Sequence, residues 1–259
     1  MSIFEALALG VIQGLTEFLP VSSSGHLAVL EHLWKLPAES RLPLTTMLHG
    51  ATALAVIFYF APLLARLIRG LRARDPVWRG SSWRMVGFIV VASIPAGLIG
   101  VMFNDLIDRA FSSPLLVGLM LLVTGGVLFG TRRAQARGRT GWARALLLGI
   151  AQAIAILPGI SRSGATIASG LYLGMERKEA FEFSFLLAIP AIAGAFLLEV
   201  RKVDLAVLNP QALGAGMIAA FVAGLAALYV LARAVTSRRL HWFAFYCWLA
   251  GLATIVFVR

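Results

Sequence analysis

The length of its apolar runs limits this chain to very few architectures. Long apolar stretches bounded by charge form eight blocks, roughly 3–19, 43–65, 85–103, 114–131, 143–157, 180–199, 211–232 and 241–258. Each approaches the roughly 20 residues with which a helix crosses a hydrocarbon core. A water-soluble core cannot absorb that pattern. Hydrophobic residues make up 59% of the 259 positions and charged residues 14%, with a mean hydropathy of +0.86, against about 25% charged residues in an ordinary soluble domain. The chain reads as an all-α polytopic membrane protein, a single transmembrane domain over 1–259.

Its net charge of +11 is of the kind that marks nucleic-acid binders. Here the basic residues fall in short loops between apolar blocks, where they orient the chain in the membrane, so no nucleic-acid partner is expected. The single Cys247 excludes an intrachain disulfide. No basic segment precedes the first apolar run, which argues against a cleaved signal peptide.

Six blocks read as complete spans. The first and fifth run directly into polar stretches containing glycine and proline, Pro20-Val21-Ser22-Ser23-Ser24-Gly25-His26 and Pro158-Gly159-Ile160-Ser161-Arg162-Ser163-Gly164, and a modestly polar helical segment follows each, 27–36 and 165–175. Non-helical backbone at membrane depth survives only where protein or a wet cavity satisfies it. Both regions, about 3–36 and 143–178, are therefore expected to be re-entrant hairpins. Charge supports this. Arg66, Arg69, Arg72, Arg74, Arg79 and Arg84 crowd one loop, Arg132, Arg133, Arg137, Arg139 and Arg144 a second, and Arg233, Arg238 and Arg239 a third. All three fall on one side, the cytoplasmic one, only if each hairpin enters and leaves by the same face. Both termini are then external. Trp34, Trp78, Trp83, Trp142 and Trp242 lie near block ends, as interfacial anchors do.

The hairpins also resemble each other. An offset of 139 aligns Gly10 with Gly149, Gln13 with Gln152, Ser22 with Ser161, Ser24 with Ser163 and Gly25 with Gly164; Ile94-Pro95-Ala96 faintly echoes Ile189-Pro190-Ala191. Similar hairpins entering from opposite faces imply an inverted repeat with its site at midplane.

Gln13 and Glu17, four apart, share one helix face. A carboxylate inside a membrane segment points to function, and its oxygens suit a hard cation such as Mg2+ or Ca2+. Glu5, nearer the terminus, reads as interfacial. Ser22, Ser23, Ser24 and Gly25 stand where one helix stops and another starts, so they serve as caps or as an anion-binding helix start. His26 in the first turn is a candidate base or nucleophile, and a serine beside it suits an activated nucleophile. Arg162, between Ser161 and Ser163 and before Gly164, needs an anionic partner at depth; its planar fork suits phosphate, with Thr166 adding a hydroxyl. His49, alone at the start of a span, reads as an interfacial or packed residue. Together the motifs supply what phosphoryl chemistry requires: a metal-binding carboxylate, a nucleophile or base, and a fixed cation.

At these residues the chain resembles the undecaprenyl-diphosphate phosphatase family of bacterial membranes, which is also associated with bacitracin resistance. Gln13-Gly-Leu-Thr-Glu17-Phe-Leu-Pro-Val-Ser-Ser-Ser-Gly-His26 is similar to the family's first motif and Pro158-Gly-Ile-Ser161-Arg162-Ser163-Gly-Ala-Thr166 to its second; Phe183-Ser-Phe-Leu-Leu-Ala-Ile-Pro190 also looks familial. The likeness spans essentially the whole chain. It implies hydrolysis of undecaprenyl diphosphate to the monophosphate, a divalent cation, six transmembrane helices plus two re-entrant helix pairs, and a site open to the periplasmic side of the cytoplasmic membrane. It also implies a polyprenyl diphosphate substrate held among membrane lipids, and suggests a homodimer. Carried over by residue, Glu17 is a catalytic, metal-linked carboxylate supported by Gln13. Ser23 and His26 are candidates for nucleophile and base, with water as a third choice of attacker. Arg162 holds the diphosphate with Ser161, Ser163 and Thr166. The competing reading is a secondary transporter or lipid flippase, in which broken helices and an intramembrane acid also occur.

Overall fold

The computed structural model describes residues 2–23, 25–27, 30, 34, 38–103, 110, 113–136, 138 and 140–257. Among these residues there are ten α-helices and no β-strand. They are α1 (Ile3–Phe18), α2 (Ala38–Tyr59), α3 (Ala61–Leu71), α4 (Pro76–Met102), α5 (Pro114–Gly130), α6 (Trp142–Ile154), α7 (Arg162–Tyr172), α8 (Arg177–Glu199), α9 (Pro210–Thr236) and α10 (Phe243–Phe257). Six of them, α2, α4, α5, α8, α9 and α10, are long and apolar enough to cross a membrane. They correspond to the six expected spans. Only 6% of the apolar window of α4 is buried, and Leu54, Phe58, Ile94, Leu98, Val222 and Leu249 are exposed on the outer faces. This is the surface that a lipid-embedded bundle presents. The chain is a multi-pass membrane protein.

Two boundaries differ from expectation, each for a local reason. Helix α4 starts at Pro76, well before the apolar run at 85, because Asp75 accepts hydrogen bonds from the Val77 and Trp78 amides at 3.0 and 3.4 Å. The proline behind that cap has no amide to leave unpaired. Ser113-Pro114 and Asn209-Pro210 start α5 and α9 in the same way. The block 43–65 is divided, since α2 ends at Tyr59 and α3 starts anew at Ala61. Pro62 lacks the amide that would carry the ladder through. Of the expected helix 27–36, Leu27, Leu30 and Trp34 are described and the rest lies outside the described residues.

The basic loops gather at one end of the bundle. Arg66 and Trp78 share a cleft with Glu179 and Glu182 near the start of α8. Arg177, the first residue of α8, donates to the Ala134 carbonyl at 3.2 Å, and the turns Thr131–Arg133 and Leu240–Trp242 touch.

Helix α1 is too short to span but packs closely along α9. A Cβ at Gly14 would stand 2.4 Å from the Ala220 carbonyl oxygen, and one at Gly10 would stand 2.2 Å from that of Gly216. Only glycine permits this approach, and it fixes the face of α1 that carries Gln13 and Glu17. Beneath, Phe18 meets Phe185 at 5.8 Å between ring centroids, and Phe185 meets Phe60 and Phe181 at 5.6 and 5.0 Å. This aromatic cluster backs the end of α1.

Candidate active site

Two interrupted helices build the site. Helix α1 stops at Phe18, with Pro20 just beyond. Ser22 adopts φ +68°, a left-handed conformation uncommon outside glycine, and helical backbone resumes at Ser23. The Pro20 carbonyl accepts from Cys247 Sγ at 3.2 Å, tying the turn to α10. In the second motif α6 ends at Ile154 and α7 starts at Arg162 behind the cap Ser161. Gly159, at φ +90°, makes that turn against the Val117 backbone. Thr124 of α5 holds it from both sides, donating to the Gly159 carbonyl at 3.0 Å and accepting from the Ser161 amide at 3.3 Å.

The turns meet at Glu17. Arg162 Nη2 lies 2.7 Å from Glu17 Oε1. On the other oxygen, Glu17 Oε2 accepts from Ser23 Oγ at 2.8 Å and from Gln13 Nε2 at 3.2 Å. His49 Nε2 stands 3.5 Å from the same Oε2. The Glu17 side chain is only 8% exposed and that of Arg162 19%. Depth follows from His49, which is near the midpoint of α2 (Ala38–Tyr59), so at 1.5 Å per residue it is about 15 Å from either end.

The other expected residues are distributed around this pair. Ser161 Oγ accepts from the Gly164 amide at 3.1 Å and stands 3.2 Å from Ser163 Oγ. Thr166 bonds Ser184 of α8 and donates back to the Arg162 carbonyl at 2.9 Å. Gly164 packs against Pro20, and Gly25 against Val117. Ser22 is buried, and its carbonyl accepts from His26 Nδ1 at 2.8 Å. His26 Nε2 meets the Tyr246 hydroxyl at 2.6 Å, with the rings stacked. His26 is therefore not paired with Ser23, whose hydroxyl goes to Glu17 instead. Ser24 lies outside the described residues. Four residues at the site carried no functional assignment from sequence: His49, Thr124, Ser184 and Tyr246. His49 had a signal, since Thr45, His49 and Thr52 recur on one face of α2. The other three are single hydroxyls in apolar blocks, where nothing local distinguishes them.

The arrangement can bind and polarise an anion. Arg162 spends one N–H on Glu17 and keeps the rest of its five-donor fork. Ser23 points its proton at a carboxylate, the geometry of a base-assisted hydroxyl. A groove of about 410 Å³ between α1, α5 and α10, lined by Ile12, Leu15, Gly25, His26, Leu121 and Tyr246 among others, opens beside the first motif. For a cation the donor set is small, and among the described residues no group of three or more His, Cys, Asp or Glu could hold one. Yet Gln13 Oε1 is buried with no hydrogen-bond partner, next to the Glu17 carboxylate. An oxygen pair of this kind fits a hard cation that takes its remaining ligands from phosphate and water.

Comparison with known proteins places the chain in a family. The family model described as bacitracin resistance protein BacA matches residues 6–253. The chain is 44% identical to the undecaprenyl-diphosphatase of Desulfatibacillum aliphaticivorans, covering 97% of each chain. It is 39% identical to that of Alkaliphilus metalliredigens, covering 99% of each, and 41% identical to that of Syntrophotalea carbinolica, covering 97% of each. With near-complete coverage and both motifs inside the matched region, this chain belongs to the bacitracin resistance protein BacA family.

Proposed function

We propose that this protein hydrolyses undecaprenyl diphosphate to undecaprenyl phosphate and inorganic phosphate, returning the lipid carrier to peptidoglycan synthesis. The observation that carries the reading is the 2.7 Å contact between Arg162 and Glu17, residues 145 positions apart. It joins an anion-binding cation to a carboxylate that already accepts a serine proton. The names of the relatives supply the substrate, and the groove beside His26 and Tyr246 gives the first prenyl units an apolar place to lie.

In the mechanism, the free N–H groups of Arg162 bind and orient the terminal phosphate, helped by the hydroxyls at the start of α7. Ser23 Oγ attacks the terminal phosphorus and its proton passes to Glu17 Oε2. The bond from phosphorus to the bridging oxygen breaks, and undecaprenyl phosphate leaves with that oxygen. Water then attacks the phosphoserine, phosphate departs, and Ser23 recovers its proton. His26, held by the Ser22 carbonyl and Tyr246, positions the turn that presents Ser23 and does not act as its base. Gln13 and Glu17 would hold a divalent cation, which when bound offsets the negative charge of the phosphate oxygens.

Both interrupted helices are read as re-entrant hairpins from opposite faces of an inverted repeat, with the site open to the periplasm and both termini external. The gathering of the basic loops at one end supports this, as does the mid-helix depth of His49. The test is phosphate release from undecaprenyl diphosphate by purified protein in detergent, where no gradient exists. Release by the wild type and its loss in Arg162→Ala are expected. A protein that translocates the lipid but releases no phosphate would instead be a transporter or flippase.

A further inference from the structure

His49 occupies a position that its hydrogen bonding alone does not explain. Its Nδ1 lies 2.8 Å from the Thr45 carbonyl oxygen. A carbonyl only accepts, so Nδ1 carries a hydrogen, and whenever the ring binds a metal its lone pair is the one on Nε2. Nε2 faces Glu17 Oε2 across 3.5 Å, longer than an ordinary hydrogen bond. Gln13 bonds the same Oε2 through Nε2 at 3.2 Å while its own Oε1 is buried and unpaired. Turning over the Gln13 amide, an O/N assignment that hydrogen bonding alone decides, would bring a third lone pair towards the same space. Two lone pairs, on His49 Nε2 and Glu17 Oε2, thus face each other across this space, with the Gln13 carbonyl oxygen as a third when its amide is turned over; Ser23 Oγ donates to Oε2 from beside them, while Arg162 occupies the opposite carboxylate oxygen.

Two features match metal ligation. A histidine that binds a metal nearly always donates its other ring N–H to a carbonyl or carboxylate, which fixes the tautomer, as Thr45 does here. Two ligands at right angles on Ca2+, with bonds of 2.3–2.6 Å, stand roughly 3.3–3.7 Å apart, a range that includes the observed separation, and an ion with shorter bonds spans it at a wider ligand angle. We propose that His49 Nε2 is a ligand of the divalent cation, together with Glu17 and Gln13. The donor set is then mixed nitrogen and oxygen, favouring a transition ion such as Mn2+ over Mg2+ more than an all-oxygen site would. The inference rests on the proposed phosphatase reading and adds a ligand to its cation.

Mn2+ alone is the probe, added to the purified full-length protein in detergent and followed by pulsed electron paramagnetic resonance. The expected wild-type signal carries 14N coupling from a coordinated imidazole, replaced by 15N coupling when the protein is grown with 15N-histidine. Among the four histidines of the chain, His49→Gln removes that coupling and weakens Mn2+ binding by about tenfold or more, and His26→Gln retains it. Labelling the wild type needs no substitution, so misfolding of a variant cannot mimic the result. Saturable Mn2+ binding without nitrogen coupling, coupling that survives His49→Gln, or no saturable binding would each overturn the assignment. Phosphate release from undecaprenyl diphosphate, measured on the same preparation, separates the two readings. If release persists while the coupling is absent, His49 alone loses its role; if release is absent, the phosphatase reading fails.

Discussion

Glu17 is the residue on which the other assignments converge, because Arg162, Ser23, Gln13 and His49 all approach its two oxygens. A buried carboxylate so surrounded is held in one orientation, and each partner is in turn positioned by it. Losing the guanidinium removes a fixed charge from the bound phosphate, an effect worth about 10²–10³ in turnover at comparable sites. Arg162→Ala should thus cut phosphate release by at least ~10²-fold while eluting from size exclusion as the wild type does. Ser23→Ala should lose far more activity than Tyr246→Phe, which removes only the hydroxyl that meets His26. Near-normal turnover in Ser23→Ala would assign the attack to water. Glu17, Ser23 and Arg162 were legible in the sequence because charge and clustered hydroxyls are costly in apolar segments, so their presence is information. Thr124 and Ser184 were not. A lone hydroxyl in a helix satisfies itself on a carbonyl one turn back, and only the folded chain reveals a different partner.

At the scale of elements, two devices hold the motifs in place. One is the seating of α1 on α9 through Gly10 and Gly14, where any side chain would strike backbone. Gly14→Leu should separate the helices, lowering the melting temperature in detergent and abolishing activity together. Gly149, which the 139-residue offset aligns with Gly10, seats α6 on the backbone of Ala92 in the same manner. The other device is Thr124, which satisfies two backbone groups of the Gly159–Ser161 turn. Thr124→Val keeps the shape but leaves both unpaired, at about 1–3 kcal/mol each. A lowered melting temperature and reduced turnover are expected, with Thr124→Ser close to wild type; an unchanged Thr124→Val would mean that the turn does not depend on it. The six long helices could be read from apolar length alone. The starts of α4 and α3 could not, since a cap followed by proline extends one helix into polar sequence and Pro62 ends another inside an apolar run.

Across the whole molecule, the chain balances a lipid-facing exterior against a polar centre. The basic loops gather at one end, where their charge would orient the chain, and the proposed hairpins would carry polar backbone to a depth where only protein can satisfy it. Single cysteines in a Cys247→Ala background should place 66–84, 132–144 and 233–239 on the cytoplasmic side, and both termini outside. A terminus labelled from the cytoplasm would contradict the re-entrant topology. The central claim is that two distant motifs form one catalytic centre, and a double-substitution cycle tests it most directly. Phosphate release from undecaprenyl diphosphate should be measured, with Mg2+ present, for wild type, Glu17→Gln, Arg162→Ala and the double variant. Residues acting as a unit are strongly non-additive, so the double variant should be no slower than the more damaged single one. Losses that multiply, or either single variant turning over near the wild-type rate, would contradict a shared site.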